Sequence, residues 1–367
     1  MIPVSEHLLT GREVFGFAVA IQFLMIGFGS PLFGAIADKY GSSKAALYGV
    51  ILLIIGLYMM SKVQSSLEII ISQAIFGLGS AGCGTAVVLG AVGKAVEEKN
   101  RTLSLGIVMA AGSLGQFLIV PLAGFLINLS GWMQSIIYLC FIASIMIIFC
   151  FTLTLPKKNG EDNEQNNRSL KSVLDEAFAN KSYNLLTLGF FVCGFHVSFV
   201  ATHLPAYLED ISLPIWIGSW SLALIGLFNV FGTLMFGKMG DSKSKKNLLA
   251  ILYSLRAILF LIFIFLPKNE ITILIFAALL GILWLSTVPL TSGIISVIFG
   301  SRYMSMLYGF TFLSHQIGSF LGSWFGGRLY DYYGSYDIMW WICVALGFVS
   351  AAMHMPIIEK PLSKKYS

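Results

Sequence analysis

Charge is what this chain has least of: Asp, Glu, Lys and Arg make up 11% of its 367 residues, where a soluble domain carries about 25%. With 57% hydrophobic residues and a mean hydropathy of +0.82, its apolar surface exceeds what one sheltered core absorbs. Lipid is therefore the solvent for most of it. Acidic side chains are missing from the interior of every long apolar run: Glu6, Glu13, Glu68, Glu209, Asp210 and Glu359 sit in or beside polar turns. The five cysteines (Cys83, Cys140, Cys150, Cys193 and Cys343) lie inside apolar runs without the short paired spacing of a metal or redox site. They read as small buried hydrophobes. Paired acids, metal-ligand spacing and an activated nucleophile are absent too, so nothing supports an intramembrane enzyme, and no catalytic residue, cofactor or metal is assigned. Met1 to Arg12 carries Glu6 and lacks the basic start and short apolar core of a signal peptide. The net charge of +5 does not point to nucleic acid, because the basic residues lie in short turns.

What is present is a duplicated charged turn. Gly34-Ala-Ile-Ala-Asp38-Lys39-Tyr-Gly41-Ser-Ser-Lys44 is wedged between two apolar runs. Gly237-Lys238-Met-Gly-Asp241-Ser-Lys243-Ser-Lys245-Lys246 repeats it between two others. Aligning Asp38 with Asp241 offsets the halves by 203 residues, the mark of an internal repeat. Eleven spans are predicted, at 14–36, 45–62, 69–92, 104–128, 132–155, 184–207, 216–237, 247–267, 271–298, 304–325 and 336–356. They divide into a bundle of five spans (1–155), a polar linker (156–183) and a bundle of six (184–367). Alternate turns hold 18 of the 23 Lys and Arg, and the opposite turns only Arg12, Lys62, Lys268 and Arg328. The basic turns and the C-terminus are thus expected in the cytoplasm. The charged turn follows the first span of the first half but the second span of the second half. The counterpart of the helix at 184–207 is therefore expected to be missing from the first half, so that the chain starts one helix late; the alternative is a genuine eleven-helix protein with its polar N-terminus outside. In the linker, Lys157 to Asn167 is charged and Asn-rich. Arg168 to Lys181 has the spacing of a short helix lying on the membrane face, with a plain linker as the equal alternative.

Polar residues inside spans are site candidates because lipid makes them expensive. His196 and His203 stand two turns apart on one helix near Ser198 and Thr202. They suit a proton or an anion, or else are hydrogen-bonded between packed helices. Pro205 frees a carbonyl where a gating bend is useful. Arg256, alone among Lys and Arg, lies well inside a span, about 14 Å deep at the usual rise. It requires an anionic substrate or backbone carbonyls as its partner. Asn229, Trp284 and the pair His315-Gln316 complete the candidate substrate and proton residues. Asp38 is expected to cap the helix that follows it or to pair with Lys94 or Arg101, closing an inner gate. Gly34, Lys39, Gly41, Asp241, Arg101 and Pro205 belong to the same gating set.

The first charged turn resembles the signature of the major facilitator superfamily. Further segments resemble its bacterial monocarboxylate-porter branch: Gly189 to Leu208, Gly281-Ile-Leu-Trp284 to Gly293, Phe312-Leu-Ser-His315-Gln316-Ile-Gly318 to Gly322, and Gly326-Gly-Arg328-Leu-Tyr-Asp331. The resemblance covers essentially the whole chain. It implies an all-α membrane protein of two pseudo-symmetric bundles, with eleven of twelve helices present. It also implies a monomeric, multi-pass carrier of the plasma membrane, the inner membrane in a bacterium, moving a small organic anion by alternating access. A monocarboxylate moved by proton symport is the leading expectation; oxalate–formate-type exchange and a non-transporting truncated protein are the alternatives. Gln73 stands where many proton-coupled members carry Arg, the Gly-Pro antiporter motif is absent from 112–124, and no Gly follows Asp241 as it should.

Overall fold

The computed structural model describes residues 7–8, 12–153, 170–300 and 302–362. Among them the regular structure is helical, as lipid demands of a chain that must satisfy its own backbone polar groups. The first half contributes α1 (Arg12–Tyr40), α2 (Ser42–Met60), α3 (Ser66–Cys83), α4 (Thr85–Ala95) and α5 (Arg101–Cys150). The second contributes α6 (Leu170–Ala179), α7 (Lys181–Asp210), α8 (Ile215–Ser242), α9 (Lys245–Phe265), α10 (Glu270–Leu283), α11 (Thr287–Phe299), α12 (Met304–Tyr333) and α13 (Asp337–His354). α3 with α4, and α10 with α11, form single rods across short breaks, and α5 is two helical arms that meet at a kink at Gly131, whose φ of 77° suits glycine. Among the described residues, ten rods are long and apolar enough to cross a membrane. The more polar α12, at 30 residues, has the length as well.

The expected spans therefore all have helical counterparts, with three adjustments. The span expected at 271–298 is broken at 284–286, because Pro289 can neither donate to the carbonyl of Leu285 nor fit beneath it. The span expected at 304–325 continues to Tyr333 and ends on Gly334 in the left-handed conformation. The expected amphipathic segment is the helix α6, but its buried residues Val173 and Ala177 belong to a core cluster drawn from both halves, and Phe178 meets Tyr183 and Phe310 edge-on. It thus docks on protein. Lys157 to Asn167 lies outside the described residues.

Within the first half α1 and α2 pack on α3; within the second α7 packs on α12, α8 on α10 and α9 on α13. The halves meet along two seams, α1 with α12 and the first arm of α5 with α8. Both seams are made close by glycine. A Cβ on Gly34 would lie 2.6 Å from the carbonyl oxygen of Ser305, and one on Gly106 would lie 2.6 Å from that of Thr233. Such small-residue crossings let helix backbones approach where lipid supplies no hydrophobic drive to associate.

Candidate functional site

The charged turns meet the opposite half. Asp38, at the end of α1, accepts a hydrogen bond from the Met306 N–H (2.9 Å) in the first turn of α12. Its other oxygen is paired with Lys94 Nζ at 2.5 Å. Asp241, at the end of α8, accepts from the Thr102 (2.8 Å) and Leu103 (3.0 Å) N–H groups in the first turn of α5. Each carboxylate thus meets unpaired amides and the positive end of a helix dipole. Moving Thr102 and Leu103 by the 203-residue repeat lands on Ser305 and Met306, so the two contacts are pseudo-symmetric. Asp38 does pair with Lys94, but the helix that it caps belongs to the opposite half and is not the one that follows it. Arg101 reaches across the halves to Ser296 Oγ at 2.8 Å rather than to Asp38. Lys39 lies over its neighbour's ring, Tyr40, at 5.1 Å. Gly41 turns the chain from α1 into α2 at φ 100°, a conformation strained for any other residue.

Deeper in the bundle the broken rod α10–α11 organises the buried polar residues. Unwinding at Trp284 leaves carbonyls at the C-terminal end of α10 and an amide at Leu285 without helical partners. Arg256, fully buried, donates from Nη2 to the carbonyls of Leu283 and Trp284 and from Nη1 to Cys193 Sγ at 3.6 Å. Its charge is held by the negative end of α10, the arrangement that favours cations at helix C-termini. Asn229 satisfies the other side of the break by accepting from the Leu285 N–H at 2.9 Å. Its amide donates across the halves to Ser113 Oγ at 2.6 Å. Of the two partners that the sequence allowed Arg256, the structure supplies backbone carbonyls. Trp284 takes part through its own carbonyl, its side chain being buried.

The histidines are dispersed. His196 Nε2 meets the Cys343 carbonyl on α13 at 2.9 Å. His203 Nε2 donates to the Ser323 carbonyl on α12 at 2.7 Å, and its Nδ1 lies 3.3 Å from Tyr336 Oη; Gly326 leaves its ring the room. These two are hydrogen-bonded between packed helices, and their shared face of α7 is divided between two neighbours. His315 Nδ1 lies 3.1 Å from Gln316 Oε1 with its ring stacked on Phe312; its buried Nε2 has no hydrogen-bond partner. Cys193, read from the sequence as a plain hydrophobe, sits between Arg256 and the Thr287 hydroxyl at 3.2 Å; position alone gave no signal of that. Pro205 is accommodated inside α7 against Gly218 of α8.

Away from the charged turns the seams part. α1 touches α12 through Gly27, Pro31 and Gly34, but a Cβ on Gly16 would meet nothing within 4 Å. A cavity of about 500 Å³ opens there between α1 and the ends of α7 and α12, and includes Phe17, His203, Trp324, Arg328 and Asp331 in its lining. Of the candidate substrate residues, His203 reaches that lining. The two halves are thus joined by matched contacts at the charged end, and a cavity opens at the far end.

Residues 1–323 match the Major Facilitator Superfamily. The chain belongs to that superfamily. As a member it is a secondary transporter, a carrier and not an enzyme, embedded in the membrane by many helices. It is 22% identical to the uncharacterized MFS-type transporter YcxA of Bacillus subtilis, over all of this chain and 91% of that protein. It is 20% identical to the oxalate:formate antiporter of Oxalobacter formigenes (99% of this chain, 87% of that one). To mouse monocarboxylate transporter 12 it is 21% identical over 92% and 78% of the two chains. The superfamily fold recurs in the proton:xylose symporter XylE, with a TM-score of 0.74 at 15% identity over 93% of this chain and 85% of that one.

Proposed function

We propose that this superfamily member moves a small organic anion, a monocarboxylate, across the plasma membrane by alternating access coupled to protons. The observation that carries the alternating step is the pair of crossed carboxylates, Asp38 on α12 and Asp241 on α5. Both contacts join the halves at the same end, so one rocking movement breaks both. The charged-turn end faces the cytoplasm, as does the C-terminus, in line with the placement of Lys and Arg. The likeness to an oxalate:formate antiporter and to monocarboxylate transporter 12 supports a carboxylate cargo. In this reading His315 and Gln316, with an unpartnered ring nitrogen beside the α1 seam, serve the proton or the cargo, and Arg256 holds the broken rod in shape. The transporter works as a monomer.

The same reading gives the working protein a twelfth membrane helix. In the second half a Cβ on Gly318 of α12 would strike the backbone of α7. The 203-residue repeat places Gly115 of α5 at the equivalent position, where a Cβ would meet nothing within 4 Å. A helix equivalent to α7 fits that face. An in-frame apolar run of about 20 codons upstream in the DNA tests it.

Function is tested in proteoliposomes with labelled formate, oxalate and pyruvate. Uptake driven by an inward proton gradient supports symport. Uptake that requires an anion inside favours exchange, the second reading that the antiporter likeness supports. Movement of none of the three, by protein carrying all twelve helices, overturns the proposal.

A further inference from the structure

The cavity at the far end from the charged turns carries a charge, Arg328, that has no carboxylate partner among the described residues. Arg328 lies in the last turns of α12, its guanidinium 5.7 Å from the centre of the Trp324 ring. Among the described residues the one ion pair is Lys94 with Asp38, so Arg328 has no carboxylate partner. Asp331, one turn further along, lines the same cavity without pairing with it. His203, the histidine of the wall, has both ring nitrogens engaged by Ser323 and Tyr336. Half of the remaining wall residues are aromatic, Phe17 from the first half together with Trp324 and the tyrosines at and just beyond the α12 end. At about 500 Å³ the space is within the usual range for small-molecule sites, about 300–1,000 Å³.

We infer that this cavity is a carboxylate-binding vestibule, with Arg328 held by the Trp324 face as its anchor. A planar guanidinium braced on an aromatic ring keeps its outward N–H groups aimed as a fork, the geometry that matches a carboxylate. Flat aromatic walls suit an anion carrying an apolar or ring-bearing body. Asp331 opposes the anion from one turn away, about 5–6 Å along the helix, and so sets the affinity low enough for release. The inference rests on the small-anion reading above for its place in transport, but binding itself does not require that transport occur.

The test uses the intact protein in membrane vesicles and phenylglyoxal, which modifies arginine guanidinium groups. The rate of modification at Arg328 is followed by mass spectrometry of the peptide that contains it. Benzoate in increasing concentration is expected to protect Arg328, and its neutral isostere benzamide is not. Asp331→Asn is expected to lower the half-protecting concentration of benzoate about threefold, the effect of removing a like charge at that range in water. Trp324→Leu is expected to raise it while Arg328 still reacts. No protection by benzoate, or equal protection by benzamide, overturns the vestibule. Protection in a protein that moves no carboxylate in proteoliposomes keeps the vestibule and sinks the transport reading; uptake without protection does the reverse.

Discussion

Arg256 shows how a single residue's role turns on what it faces. A guanidinium deep in a span with no Asp or Glu at the same depth has two physical solutions, and both were open from the sequence. The break in α10–α11 settles its resting partners, because the unwound turn exposes carbonyls that must find a donor. Pro289 was the signal: it forbids a continuous helix through Leu285, so free carbonyls near that position were implied. Replacing Arg256 with Met should leave the carbonyls of Leu283 and Trp284 without it, at a cost of about 1–3 kcal/mol for each group left unsatisfied. The expected result is a lower midpoint of thermal unfolding in detergent, with Arg256→Lys losing less. A variant of unchanged stability with a raised KM for carboxylates would return Arg256 to the substrate.

At the scale of helices, the seams are built from glycine. Gly194 of α7 is packed so tightly on α12 that a Cβ would overlap the carbonyl of His315, while Gly112 and Gly115 of α5 have open space at the same distance. Gly194→Val is therefore expected to abolish folded yield, measured by size-exclusion chromatography after detergent extraction. Gly115→Ala in this chain should be neutral or stabilising by up to about 1 kcal/mol, since Ala is the better helix former. The contrast also tests the proposed packing of a further helix on that face: if one seats there, Gly115→Leu should impair folding, and if the face is open it should not.

For the whole molecule, two acidic residues 203 positions apart tie the halves at one end. Each contact joins a charge to a helix N-terminus, an interaction of about 0.3–1 kcal/mol when exposed and up to about 2 kcal/mol when partly buried. Asp38→Asn with Asp241→Asn should therefore shift the population toward the state open at the charged-turn end by roughly tenfold, the equivalent of about 1.4 kcal/mol. A cysteine at Met304, fully buried in the seam, reports the shift as faster maleimide labelling. Equal labelling in the variant and the parent would remove these carboxylates from gating. Loss of folded protein would instead identify them as structural cement, which a single Asp241→Asn substitution separates by its milder effect.

The all-helical membrane class, the positions of the spans and the superfamily were legible because hydropathy, Gly spacing and the repeated charged turn are local properties, written residue by residue along the chain. The repeat even contained the pair of crossed contacts, since shifting Leu103 by 203 gives Met306. What the chain order could not give was direction. Asp38 faces α12 and not α2; His196 and His203, on one face of α7, are claimed by α13 and α12; and Arg256 turns to the broken rod. In a bundle every helix has several neighbours, and which of them a polar side chain meets depends on how the rods are rotated and where glycine lets them close. Only the tertiary structure fixes that rotation, because it is the sum of many packing contacts between residues far apart in sequence.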